Sequence, residues 1–124
     1  MSKKNIEKHI PKAIEVLEAN FDNGIIPSSY NGYISSFGAS VIQSGLKPTL
    51  ALFENENANT KEKKQLLPLL ILEILDEDTT ETSLLRYILM KNDESYLKKE
   101  IMDIAIAVKL SIRTFKLEKG EKNE

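Results

Sequence analysis

The chain has no cysteine, no tryptophan and one histidine among its 124 residues, and its five glycines are scattered. Without cysteine there is no thiolate nucleophile and no disulfide framework, and a reducing cytoplasm is the expected compartment. With His9 as the sole imidazole, a zinc site would have to be built mostly from carboxylates, which is unusual. His9 itself lies on a lysine-rich N-terminal helix with no evident orienting partner for general-base work, and it reads as a surface residue. The glycines form neither a G-x-G-x-x-G nor a Walker pattern, and no serine has a histidine or second base at motif spacing. Glu73, Asp76, Glu77 and Asp78 are the best magnesium candidates. They also mark a helix end and the cap of the next helix, and no phosphate-binding element accompanies them. The expectation is a non-enzyme with no metal, no cofactor and no small-molecule substrate.

Long apolar runs are missing too. None approaches the roughly 20 residues of a membrane span, and the start, Met1-Ser2-Lys3-Lys4-Asn5, leads into an amphipathic pattern unlike a signal peptide, so no membrane association is expected. A basic excess is also absent, because the formal net charge is −2, which does not mark a freestanding nucleic-acid binder. The charges are unevenly placed. Residues 1–12 carry Lys3, Lys4, Lys8 and Lys12 against Glu7, whereas residues 54–82 carry eight acids against Lys61, Lys63 and Lys64. Such asymmetry suggests two differently charged surfaces, although a charge run is often only a solvated face.

What is present is helical periodicity along nearly the whole chain. Ile6, Ile10, Ala13, Ile14 and Leu17 share one face of a first helix, which Asp22-Asn23-Gly24 ends. Ser28 suits the N-cap of a second helix that places Tyr30, Tyr33, Ile34, Phe37, Val41 and Ile42 on one side and is closed by a left-handed Gly45. Pro48 fits the first turn of a short apolar helix through Phe53, and residues 54–64 read as an exposed loop. Pro68 starts or kinks a helix through Leu75. Asp78 with Glu81 has the form of a capping box for a helix carrying Leu84, Leu85, Ile88 and Leu89. After Lys91-Asn92-Asp93, a long last helix buries Ile101, Ile104, Ala105, Val108, Ile112 and Phe115. Residues 118–124 are polar and read as a frayed tail. No segment alternates with period two. The expected fold is therefore all-α, a single domain over residues 1–124 built as a bundle of about six helices with no sheet.

The helices joined through Ser44-Gly45-Leu46-Lys47-Pro48 invite a helix-turn-helix reading. The second of them, Thr49-Leu50-Ala51-Leu52-Phe53, offers almost only apolar side chains and so reads as core, since a recognition helix must present polar groups to base edges.

The same residues resemble the signature of the small α-helical subunit of type III-B CRISPR effector (Cmr, RAMP-module) complexes. In that family a tyrosine opens a helix ending in an apolar pair, a few polar residues and Gly-Leu, followed by Thr-Leu-Ala-Phe. Here Tyr30, Val41-Ile42, Gln43-Ser44, Gly45-Leu46 and Thr49-Leu50-Ala51 occupy those places, with Leu52 in place of the frequent phenylalanine and Gly38 where proline is common. Tyr96, Lys109, Arg113 and Phe115 match the family's last helix, whose usual tryptophan this chain lacks.

The resemblance implies a non-catalytic subunit of an RNA-guided antiviral effector, lining a filament beside guide RNA and target RNA, with other Cmr subunits as partners. Such a subunit would read backbone shape and phosphate, leaving sequence to base pairing. In isolation it is expected to self-associate weakly at most. The competing reading is a stand-alone helical interaction module, an adaptor or antitoxin-like partner. The candidate RNA-binding residues are Lys109, Arg113 and Lys116, spaced i, i+4 and i+7 on the last helix beside its apolar stripe. Lys8 and Lys12, which share a face of the first helix, form a second candidate pair.

Overall fold

The computed structural model describes residues 3–55 and 63–118. Among the described residues six α-helices run in chain order: α1 (Lys3–Asn20), α2 (Ser29–Ser44), α3 (Leu46–Phe53), α4 (Leu66–Leu75), α5 (Leu84–Met90) and α6 (Glu94–Ile112). The expected all-α bundle is thus the observed one. Most of the 54–64 loop and most of the 118–124 tail lie outside the described residues. One core unites the helices. Ala13 and Leu17 of α1, Ile34, Phe37 and Val41 of α2, Leu46 and Leu50 of α3, Leu67 and Ile71 of α4, Leu84 of α5 and Ile101, Ile104, Val108 and Ile112 of α6 are all buried in it. α1 packs against α6 more extensively than any other pair of elements.

The absence of any sheet is corrected. β1 (Ile25–Pro27) pairs in parallel with β2 (Lys116–Glu118), with Ile26 opposite Leu117 and fully buried. Three residues are too few to display a period of two, and the partner strands are separated by five helices, so only the tertiary fold brings them together. The strand also shortens the last helix. α6 stops at Ile112 and Phe115 reaches the core from the following turn, not from a helical face.

Caps and faces show further differences. Asp22–Gly24 does end α1, with Asn23 at φ 60° and Gly24 at φ 68°. Ser28 precedes α2, but its hydroxyl makes no capping bond and its carbonyl accepts from Asn31 N–H at 3.1 Å. The Asp78–Glu81 capping box does not form, and Ser83 is the N-cap of α5, its Oγ accepting from Arg86 N–H. A distant carboxylate completes that cap. Glu54 accepts from Ser83 Oγ at 2.7 Å and from Leu85 N–H at 3.1 Å, so two donors at the end of a short helix are satisfied from α3's C-terminus. Ile42 and Leu89, expected on buried faces, are 75% and 59% exposed. Each directly follows a buried residue, Val41 or Ile88, and a one-residue step of about 100° turns it out of the stripe. Pro11 sits inside α1 on its exposed side, where the missing N–H costs one intrahelical bond.

The residues that carry the resemblance have structural duties. Gly45 N–H donates to Val41 carbonyl at 3.0 Å, and Thr49 Oγ1 donates to Gly45 carbonyl at 2.8 Å and pairs with Ser40 Oγ at 2.7 Å. Thr49 is 1% exposed, so its hydroxyl has to find partners within the protein, and the α2–α3 turn provides them. Leu46, Leu50 and Phe53 are buried around it, which confirms α3 as a core element. Tyr30 donates its hydroxyl to Lys63 carbonyl at 2.8 Å and so ties the start of α2 to the segment leading into α4. Tyr96, by contrast, is 57% exposed.

Candidate nucleic-acid interface

The C-terminal end of α6 places Lys109 in the last helical turn, half-buried, where a cation complements the partial negative charge of the helix end. Arg113 is the C-cap residue, helical in φ and ψ and exposed, with its N–H shared between the Leu110 and Ser111 carbonyls. Lys116 is not on the helix. It is the first residue of β2, opposite Ile25, and exposed. The expected ridge of three cations is therefore a pair on the helix end with a third beyond a turn, because the chain leaves the helix to pair with β1. Among the described residues none of the three has a carboxylate within ion-pair distance.

The second candidate pair differs. Lys8 and Lys12 do lie one turn apart on α1, but both face acids. Lys8 Nζ is 4.0 Å from Glu100 Oε2 with its side chain 65% exposed. Lys12 bonds Glu77 and lies 3.6 Å from Glu15, and the hydrogen bond to Glu77 is the main reason its ammonium is held above its ordinary range. Lys47 is likewise matched, 3.1 Å from Glu94. The basic N-terminus and the acidic middle of the chain thus partly neutralise one another across the α1–α4 packing.

His9 corrects the sequence reading. Its side chain is 12% exposed and Nε2 lies 2.8 Å from Glu100 Oε2, so it has the carboxylate partner that the sequence did not reveal. Asn5, one turn earlier, donates its Nδ2 to Glu100 Oε1 at 3.1 Å and to Asp103 Oδ2 at 2.7 Å. The spacing of Asn5 and His9, four residues apart, is a usable signal, but the acceptors are more than ninety residues away on α6. A histidine bonded to a carboxylate is two parts of a nucleophile, base and orienter set. Glu100 also accepts from the Asn5 amide and lies 4.0 Å from the Lys8 ammonium. The network pins α1 to α6 and satisfies Asp103, which is 4% exposed. Asn5→Ala is expected to cost about 1.5 kcal/mol, the range of a hydrogen bond to a charged group, read as a shift of the urea midpoint at unchanged slope. An unchanged midpoint would mean that water replaces the amide without loss.

Two of the acidic residues that could have served as magnesium ligands, Asp76 and Glu77, are otherwise engaged, Glu77 by Lys12. Asp76 accepts from Tyr87 Oη at 3.0 Å and from Asp78 N–H at 3.2 Å. Burial first, and then the bond to Asp76, raise the Tyr87 phenol above its ordinary value, so it stays a donor. Among the described residues no three His, Asp or Glu side chains converge as metal ligands, and no helix is long and apolar enough to cross a membrane.

The chain matches the family described as CRISPR-associated protein (Cas_Cmr5) over residues 4–109. The match runs from the first turn of α1 to Lys109, takes in the whole α2–Gly45–α3 unit, and stops short of Arg113 and Lys116. No curated protein and no solved structure matches significantly. With the match spanning most of its length, the chain belongs to the Cas_Cmr5 family, the small subunits of type III-B Cmr CRISPR complexes.

Proposed function

We propose that this protein is a non-catalytic, RNA-holding subunit of a cytoplasmic, RNA-guided antiviral Cmr complex, in which the end of α6 meets the phosphate backbone of guide or target RNA. The observation that favours the end of α6 over the α1 pair is the contrast between two sets of cations. Lys109, Arg113 and Lys116 have no acidic partner among the described residues, whereas Lys8, Lys12 and Lys47 each face a carboxylate. A cation already paired gains little from a phosphate, and an unpaired one gains a charge-assisted contact and releases condensed counterions. Lys8 and Lys12 are accordingly the weaker candidates. The stand-alone adaptor or antitoxin-like reading gives way, because membership of this family supports association with other Cmr subunits. With a net charge of −2, the isolated chain should bind RNA weakly.

The test is the combined Lys109→Ala, Arg113→Ala and Lys116→Ala variant in reconstituted complexes, with its fold checked by circular dichroism. Target-RNA affinity should fall about tenfold or more at low salt. The plot of log affinity against log salt should flatten by roughly 0.7–0.9 for each phosphate that is no longer neutralised. Replacing the target sequence, with a matching guide, should leave the defect unchanged. Affinity and salt slope both at wild-type values would show that RNA lies elsewhere.

A further inference from the structure

Helix α4, Leu-Leu-Pro-Leu-Leu-Ile-Leu-Glu-Ile-Leu, carries one charged residue, Glu73. A helix apolar on every side is ordinarily covered on every side. Leu67, Leu70, Ile71 and Leu72 are buried, but Leu69 is 40% exposed and Leu66 half-buried, so one side of α4 faces outward. That side forms the floor of a groove of about 280 Å³ between α4 and the turn leading to α5, with Leu66 and Leu69 below and Glu73, Glu77 and Glu81 along the rim. The floor is aliphatic and the rim is anionic.

The rim's chemistry selects its occupant. RNA is a polyanion and is repelled by these carboxylates, and an apolar segment alone would bury them at a cost. A lysine or arginine side chain meets both demands, laying its methylene stem on the leucines and its charged head at the rim. The fold already brings one cation to this rim, since Lys12 of α1 bonds Glu77. Glu81 accepts the backbone N–H of Thr82 at 3.3 Å, and among the described residues neither Glu81 nor Glu73 has a cation within ion-pair distance. We propose that this groove is the docking site for a lysine- or arginine-bearing segment of a different subunit of the Cmr complex. The assignment gives the molecule two functional sides, an acidic groove for protein and the basic end of α6 for RNA. It rests on membership of the complex and not on the placing of RNA at α6.

The experiment uses the full chain reconstituted with the other subunits of its complex. Glu73→Lys with Glu81→Lys reverses the rim at two positions outside the core, and the melting temperature of the free chain checks the fold. Incorporation, followed by native mass spectrometry over a titration, should weaken about tenfold or more, and Glu73→Gln with Glu81→Gln should weaken it less. Target-RNA affinity per assembled complex should stay at the wild-type value. The α6 alanine variant should do the opposite, assembling normally and losing RNA, so a failure of either assignment is read separately. Carbodiimide treatment of the wild-type complex should join Glu73 or Glu81 to a lysine of another subunit. Wild-type incorporation of the charge-reversed variant would overturn the proposal. So would crosslinks confined to a second copy of this chain, or a loss of RNA affinity with assembly intact.

Discussion

Phe37→Ala is expected to remove about 3–5 kcal/mol of unfolding free energy, more than any other single substitution proposed for this chain. Phe37 is fully buried on α2 and meets Phe53 of α3 edge-to-face, with ring centroids 5.4 Å apart and planes at 87°. Truncation deletes the buried surface of one ring, opens a cavity between two helices joined by a single glycine, and removes an aromatic pair worth about 0.5–1.5 kcal/mol beyond its area. A domain of ordinary stability holds about 5–15 kcal/mol in all, so the variant should be near unfolding at physiological temperature. The urea midpoint measures it. A loss below about 1 kcal/mol, less than the usual cost of such a truncation, would show that the α2–α3 interface repacks around the gap. Phe37→Leu, which restores most of the volume, should recover a large part of the loss.

Gly45→Ala is expected to cost about 2–3 kcal/mol for a different reason, the strain of a backbone conformation that alanine rarely adopts. Gly45 has φ 98° and ψ 164°, so it has the expected positive φ but lies outside the left-handed helical well. That region of backbone space is essentially reserved for glycine, and strain there amounts to about 1–3 kcal/mol. Space is not the obstacle. A Cβ at this position would meet Pro48 Cδ at 3.6 Å, an ordinary contact. The cost is therefore conformational, and it falls on a residue that is at once the C-cap of α2 and the N-cap of α3, with Val41 bonded through its N–H and Thr49 through its carbonyl. At roughly 3–6 °C per kcal/mol for a chain of this size, the melting temperature should drop by about 6–18 °C. Gly38→Ala is the control. Its Cβ would meet only Met102 Cε, at 4.0 Å, within a regular helix, and alanine is the better helix former there. Equal melting temperatures for the Gly45→Ala and wild-type proteins would mean that the turn relaxes into a conformation alanine can adopt.

The two kinds of cation show why a charge pattern in sequence is hard to turn into a site. Lys8 with Lys12 and Lys109 with Arg113 have the same four-residue spacing; the first pair lies within α1, and the second spans the last turn of α6 and its C-cap. Their difference lies in what faces them. Glu100 and Glu77 come from α6 and from the turn after α4, sixty-five or more residues away from the lysines they meet. Lys116 departs from its expected place for a related reason, since the polar run after Ile112 continues the helical spacing on paper while the chain turns to pair Leu117 with Ile26. The acidic groove is half visible in the sequence, as an excess of acids over residues 54–82. Its leucine floor looks like core there, because periodicity cannot show which side of an all-apolar helix stays uncovered.

The local part of this protein can be read from its residues alone. The six helices follow from the spacing of residues such as Ile34, Phe37 and Val41, and the turns at Asn23-Gly24 and Gly45 follow from residues able to take positive φ. The order Tyr30, Gly45-Leu46, Thr49-Leu50-Ala51 points to the family that the match over residues 4–109 shows. Each of these is set by neighbours within about four residues, the distance over which helical hydrogen bonds and faces act. The β1–β2 pairing, the Glu54 cap on α5, the His9–Glu100 and Asn5–Asp103 bonds, the split between neutralised and unpaired cations, and the open side of α4 come from the folded chain. They depend on which remote backbone edge, carboxylate or leucine is brought alongside. That juxtaposition arises from the burial of one common core, whose driving force is non-directional and leaves no periodic trace in the sequence.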